Sequence, residues 1–336
     1  MLRYVASRVG LAIVMALLAT LVIFLIANTV PGDPVLAQLG DVAASNKEYL
    51  TQFRAKWGLD LPLYERYFIF LKGLAHGDLG ISIATQRPVL DDIAAYAPAT
   101  IELATTGFLL AIVVGIPLGI MAAVRRDSWI DHSARFISLI GVSSPTFWLA
   151  FIMLAVFYGG LQIAPGPGRL DYVAMPPPTV TGLFLIDTVI AGDWNAFRDA
   201  LGHLILPSIV LAATTLGLVT RTTRASMLES MQQDYVRMAR AKGLKERAVV
   251  MSHVLPNALI PVVTLGGLAY ANLLTGAVMT ETVFSWPGLG LYTFRSAAAL
   301  DFPAIMGITI IVAVTYLVIN LFTDISYALL DPRVLR

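Results

Sequence analysis

The sequence predicts an all-α polytopic membrane protein with six transmembrane helices. Three observations predict it. The chain is 57% hydrophobic and only 13% charged, against about 25% charge in an ordinary soluble domain. Six uncharged runs, 9–30, 103–124, 136–168, 200–220, 254–280 and 302–323, each reach the ~20 residues that a helix needs to cross about 30 Å of hydrocarbon. Charged or turn-rich segments separate these runs. The division that follows is an N-terminal helix (1–30), an external segment (31–98) and a core (99–331). Core spans are expected near 103–124, 136–164, 200–222, 254–280 and 302–326, with an inner loop at 223–256 and an outer loop at 165–199.

The first run follows Arg3 and Arg8. It exceeds the ~7–15 apolar residues of a signal peptide and has no clear small-residue cleavage site behind it, so it reads as a retained helix. Pro31-Gly32-Asp33-Pro34 stops it. The stretch from Lys47 to Lys72 mixes aromatics and leucines with charges, a pattern of amphipathic surface helices. The run at 172–186 is short and contains Pro176, Pro177 and Pro178. It reads as a loop, because lipid-exposed backbone cannot leave its amides unpaired.

Within the spans, Gly115 and Gly119 stand at GxxxG spacing, and Pro117, Pro145, Pro207 and Pro261 interrupt apolar sequence. Close helix packing accounts for such residues. A sharper reading has Pro145 and Pro207 bending helices beside a pathway. Short loops decide orientation. Arg125-Arg126 and the basic stretch at 234–256 share one side with both termini, which places N- and C-termini in the cytoplasm.

Composition and motifs also exclude chemistry. Net charge is +1 and cysteine is absent, so nucleic-acid binding and thiolate metal sites have no support. No lysine precedes Ser or Thr behind a glycine-rich turn, and no His pair stands at i,i+4. A P-loop and a zinc-protease helix are therefore missing. Gly141-Val142-Ser143-Ser144-Pro145 lacks the last glycine of a nucleophile elbow. No catalytic residues and no metal site are assigned.

Two stretches carry the functional expectation. In the first, 234–256, Asp234 precedes a short helix expected over 235–242, which carries Tyr235, Arg237, Ala239, Arg240, Ala241 and Lys242; Gly243 caps it with Leu244 as apolar follow-on, and a second helix runs from Lys245 towards Leu255-Pro256. Basic charge resting on anionic lipid is the plain account; the compact break favours a docking element. In the second, Glu281 precedes Ser285, Trp286, Pro287, Gly288, Leu289 and Gly290. Its plain account is an interfacial carboxylate at a helix end. The functional account sets it and the glycine-rich bend beside a solute path, as a gate.

These stretches resemble the permease subunits of ABC importers, in the dipeptide/oligopeptide/nickel branch and especially its dipeptide B-type subunits. The family loop reads E-A-A-x-x-x-G-x(9)-I-x-L-P. Aligned on Gly243, Ala239 takes the second Ala and Leu255-Pro256 the final pair, while Arg237, Met238 and His253 depart from the pattern. Residues 234–244 follow the branch form D-Y-[IV]-R-x-A-R-A-K-G-L, and 30–34, 76–82, 220–229, 281–290 and 331–333 are also similar.

The resemblance implies a type I permease core of five helices plus the N-terminal helix, with 31–98 as a periplasmic scaffold. It implies a non-catalytic subunit of the bacterial inner membrane, paired with a second permease subunit. Two ABC ATPases would use ATP and Mg beneath it, coupled through 234–256, and a periplasmic or lipid-anchored solute-binding protein would deliver cargo. Dipeptides or short peptides are the expected cargo; nickel, glutathione or another small solute is the alternative. An ion-coupled secondary transporter would need more buried charge than this chain has, and an intramembrane enzyme would need a catalytic pair.

Overall fold

The computed structural model describes residues 2–29 and 61–330. The expected stop at 31–34, the 47–60 part of the amphipathic stretch and the 331–333 ending lie outside the described residues. Among the described residues the regular elements are helices, and the one β-like feature is an isolated bridge between Ile81 and Pro88. Five helices are long and apolar enough to cross a membrane; a bent pair makes a sixth span if counted as one.

Helix α1 (Leu2–Thr29) shows Leu11, Ile13, Leu17 and Leu18 on its outer faces and packs along the last helix, with Arg8 3.3 Å from Asp324. Helix α2 (Leu63–Ala75) is the described part of the external amphipathic stretch. It lies on α1, where the Phe24 ring sits 5.3 Å from Tyr67 and 5.8 Å from Phe70.

Helix α3 (Val89–Val124) is much longer than its apolar run. Pro88 presets the entry, and Asp91 and Asp92 complement the positive end of the helix dipole in the first turn. At 1.5 Å per residue it extends about 54 Å, well beyond the ~30 Å hydrocarbon layer. Helix α7 (Trp194–Met231) is similarly extended, and the Asp193 carboxylate accepts from the amides of Asn195 and Ala196 at its start.

Small residues fasten the bundle. A Cβ on Gly119 would stand 2.6 Å from Thr223 Cβ, and one on Gly115 3.1 Å from Val219 Cγ1, so the GxxxG pair seats α3 against α7. On the other side of α7, a Cβ at Gly217 would meet the Ser138 carbonyl at 2.5 Å. That contact seats helix α4 (Trp129–Ser143).

The expected span at 136–164 is divided. Helix α4 stops at Ser143, helix α5 (Thr146–Gly160) starts after Pro145, and the two meet at 107°. Ser144 adopts the extended backbone (φ −82°, ψ 129°) that a residue before proline prefers. Proline alone does not dictate a break, since Pro117 and Pro207 lie inside continuous helices. The 165–199 segment, expected as an outer loop, is mostly irregular, as its prolines require, but includes helix α6 (Phe184–Ala191).

Helix α8 (Asp234–Ala241) follows α7. Helix α9 (Glu246–Gly276) contains a π-helical turn at Val249–Val254. Two short helices, α10 (Val278–Val283) and α11 (Leu289–Ala298), form a hairpin before α12 (Phe302–Leu330).

Candidate functional site

The two expected stretches occupy opposite ends of the bundle. At one end α8 is strongly two-faced. Val236 and Ala239 are buried with Ala123 of α3, Met227 of α7 and Val249, Val250, Val254 and Ala258 of α9. Leu255 packs against the same cluster, and Pro256 is exposed. Asp234, Tyr235, Arg237, Met238, Arg240, Ala241, Lys242, Gly243 and Leu244 are exposed, Met238 at 61% and Leu244 at 43%. Ala239, expected on the contact surface, is turned inward. It supports that surface from beneath, because i and i+3 positions share the apolar face.

Gly243 ends α8 in the left-handed conformation, φ +78°, and its amide donates to the Arg240 carbonyl at 2.9 Å. A Cβ there would meet nothing within 4 Å. Only backbone geometry therefore argues for glycine within this chain. Across the turn Arg240 pairs bidentately with Glu246 at 3.1 and 2.6 Å. Both partners are exposed, so the pair contributes about 0.2–1 kcal/mol. The Asn257 amide donates to the Tyr235 hydroxyl at 3.3 Å, tying α8 to α9.

Sequence reading missed a clasp above this loop. Asp131 is fully buried and accepts from Arg224 Nε and Nη2 at 2.6 and 2.8 Å, with Arg135 Nε 3.4 Å away. The clasp joins α4 to α7 where α7 approaches the loop. Asp131 and Arg224 lie 93 residues apart, so no local pattern pairs them.

At the far end, Glu281 is wholly buried rather than interfacial. The Thr100 hydroxyl donates to it at 2.7 Å and the Leu291 amide at 3.0 Å. Among the described residues no arginine or lysine pairs with it. Burial pushes its carboxyl from 4.5 up to about 7, against the pull of its hydrogen bonds. Trp286 is also buried and donates from Nε1 to the Ala99 carbonyl at 2.8 Å. Gly288 and Gly290 are buried, and a Cβ on Gly288 would fall 2.4 Å from Glu281 Oε1. Ser285 and Pro287 are exposed at the tip, Ser285 in a left-handed turn (φ +49°). The Glu281 carboxylate is thus a latch holding the α10–α11 hairpin to α3.

Further buried polar groups, also missed in the sequence, extend this end. Arg169 pairs with Glu102 and lies over the Phe184 ring at 3.6 Å. The Asp301 carboxylate accepts from the Ser82 hydroxyl at 2.6 Å and the amides of Ile83 and Ala84. These bonds anchor the outer loop and the 76–88 segment to the core.

Comparison with known proteins agrees with this architecture. The family model "Binding-protein-dependent transport system inner membrane component" matches residues 115–336, and its companion N-terminal membrane-component model matches 1–104. The chain is 46% identical to the probable D,D-dipeptide transport system permease protein DdpB of Escherichia coli K12, over 97% of this chain and 95% of that protein. It is 40% identical to the dipeptide transport system permease protein DppB of the same strain, over 99% of each. The di/tripeptide transport system permease protein DppB of Pseudomonas aeruginosa is also 40% identical, over 99% of each. The chain therefore belongs to the family of inner-membrane permease components of binding-protein-dependent transport systems.

Proposed function

We propose that this chain is one of two permease subunits of an ATP-driven importer of dipeptides or short peptides, forming half of the translocation route. Its near full-length identity to dipeptide permeases carries the reading. The exposed face of α8 and the open turn at Gly243 supply the contact for a cytoplasmic ATPase. Both termini lie in the cytoplasm, following the basic short loops. A solute-binding protein delivers cargo at the Glu281 end. ATP and Mg are used by the partner ATPases, and this subunit performs no catalysis.

The physical task of α8 is to transmit a push. Its buried face is continuous with α3, α7 and α9, so displacement of the loop moves three spans together. Rigid-body rocking of packed helices suits alternating access.

Gly243→Asp tests the docking face. Asp tolerates a left-handed backbone better than most side chains, and this chain leaves room for it. The variant should insert and assemble in normal amounts, yet lose dipeptide uptake and transport-coupled ATPase activity by about 100-fold, the scale of a broken tight contact of ~2.7 kcal/mol. Uptake and ATPase activity equal to the parent would reject the docking role.

A further inference from the structure

We propose that one face of α9 walls an aqueous route between the two ends of the bundle and offers amide groups to a peptide main chain in transit. This rests on the peptide-importer reading above. Asn257, Pro261, Thr264, Leu268, Asn272 and Thr275 recur at i+3 and i+4, which aligns them along one side of the helix. Each is exposed or half-buried, whereas Ala258, Val262, Gly266, Ala269 and Leu273 are buried against the bundle. Helix α12 seats on α9 at Gly267, against Thr323, and leaves Asn257, Pro261 and Asn272 exposed.

The stripe is unusual for a membrane helix. Past the first turn of α3, the exposed positions described on α3 and α12 are apolar, with Leu109 and Val113 on one and Val314 and Val318 on the other, while Thr315 and Asn320 of α12 are half-buried. On α9 the threonines satisfy themselves locally, Thr264 donating to the Ile260 carbonyl at 3.2 Å and Thr275 to Asn272 at 3.3 Å. Asn272 differs, because among the described residues its exposed carboxamide makes no hydrogen bond. Pro261 has no N–H, which also deprives the Asn257 carbonyl of its helical partner. Unpaired amide groups are costly against hydrocarbon and at ease against water.

The ends of the stripe fit a through-route. Asn257 touches Tyr235 of the loop helix, and Thr275 stands just before the α10–α11 hairpin. At 1.5 Å per residue the stripe covers about 27 Å, close to the ~30 Å hydrocarbon layer. Its chemistry selects the occupant. A carboxamide both donates and accepts, as a peptide backbone does. The six positions carry no carboxylate, imidazole or thiolate, so a metal ion would find no strong ligand.

The chain has no cysteine, so a single thiol introduced into it and read on this subunit, separated after labelling of the assembled transporter, has no background from the chain itself. Asn272→Cys and Thr264→Cys should react with a charged, membrane-impermeant methanethiosulfonate about tenfold or more faster than Val318→Cys, because thiolate chemistry needs water access. These rates are taken without substrate. Asn272→Leu, which lipid would favour, should cut dipeptide uptake about tenfold while assembly is unchanged. Equal thiol reactivity at Asn272→Cys and Val318→Cys, or full uptake by Asn272→Leu, would overturn the proposal. Absence of dipeptide uptake by the unsubstituted complex rejects the cargo reading instead, separately from the labelling rates.

Discussion

Glu281 shows how one residue can set a condition on the fold. Its carboxyl titrates at about 7 when folded and at 4.5 otherwise. A raised folded-state value means that its contribution to stability is fully present below pH 4.5 and is lost as pH rises through 7. Glu281→Gln mimics the protonated group and should flatten that dependence. The check is thermal unfolding of the purified complex between pH 5 and 8, where the parent should lose more stability on raising pH than the variant. Identical pH slopes would show that this carboxyl does not titrate in the window. The sequence revealed an acidic residue beside a glycine-rich bend, but its partners Thr100 and Leu291 come from an earlier helix and a later one. A pattern read along the chain cannot show such convergence. The same limit hid Asp131–Arg224 and Asp301–Ser82, the latter separated by 219 residues.

Helices were easier to read than their limits. Long apolar runs identify spans because each backbone amide in lipid must be paired within the helix. They do not show that α3 begins at Val89 or that α7 reaches Met231, since charges interrupt the apolar pattern there, Asp91, Asp92 and Glu102 in one and Arg221, Arg224 and Glu229 in the other. The sequence offered Pro145 and Pro207 as bends of equal standing, yet α4 and α5 meet at a break while α7 passes through Pro207 intact. The glycines make a quantitative case at this scale. Gly119→Val should force α3 and α7 apart, because a Cβ alone meets Thr223 Cβ at 2.6 Å. A loss of about 1–3 kcal/mol is expected for overpacking, seen as a lower melting temperature of the complex. Gly266→Ala is the control, its Cβ falling at an ordinary 3.6 Å from Phe108.

As a whole, the molecule has the proposed docking surface at one end, a latch at the other and spanning helices between them. Reconstituted alone in vesicles, it should show no uphill peptide accumulation. With a sister permease, two ATPases and a binding protein, ATP should drive accumulation; accumulation by the single chain would refute the coupling scheme. The lengths of α3 and α7 add a mechanical consequence. Glycine contacts join the two into one stiff beam, about 54 Å long on the α3 side at 1.5 Å per residue. Pivoting such a beam by about 5° at its basic end sweeps its opposite tip through about 5 Å, roughly one helical turn of 5.4 Å pitch. On the proposed coupling, a modest nudge at that end is geared up into a displacement on the scale of an amino acid's passage at the other.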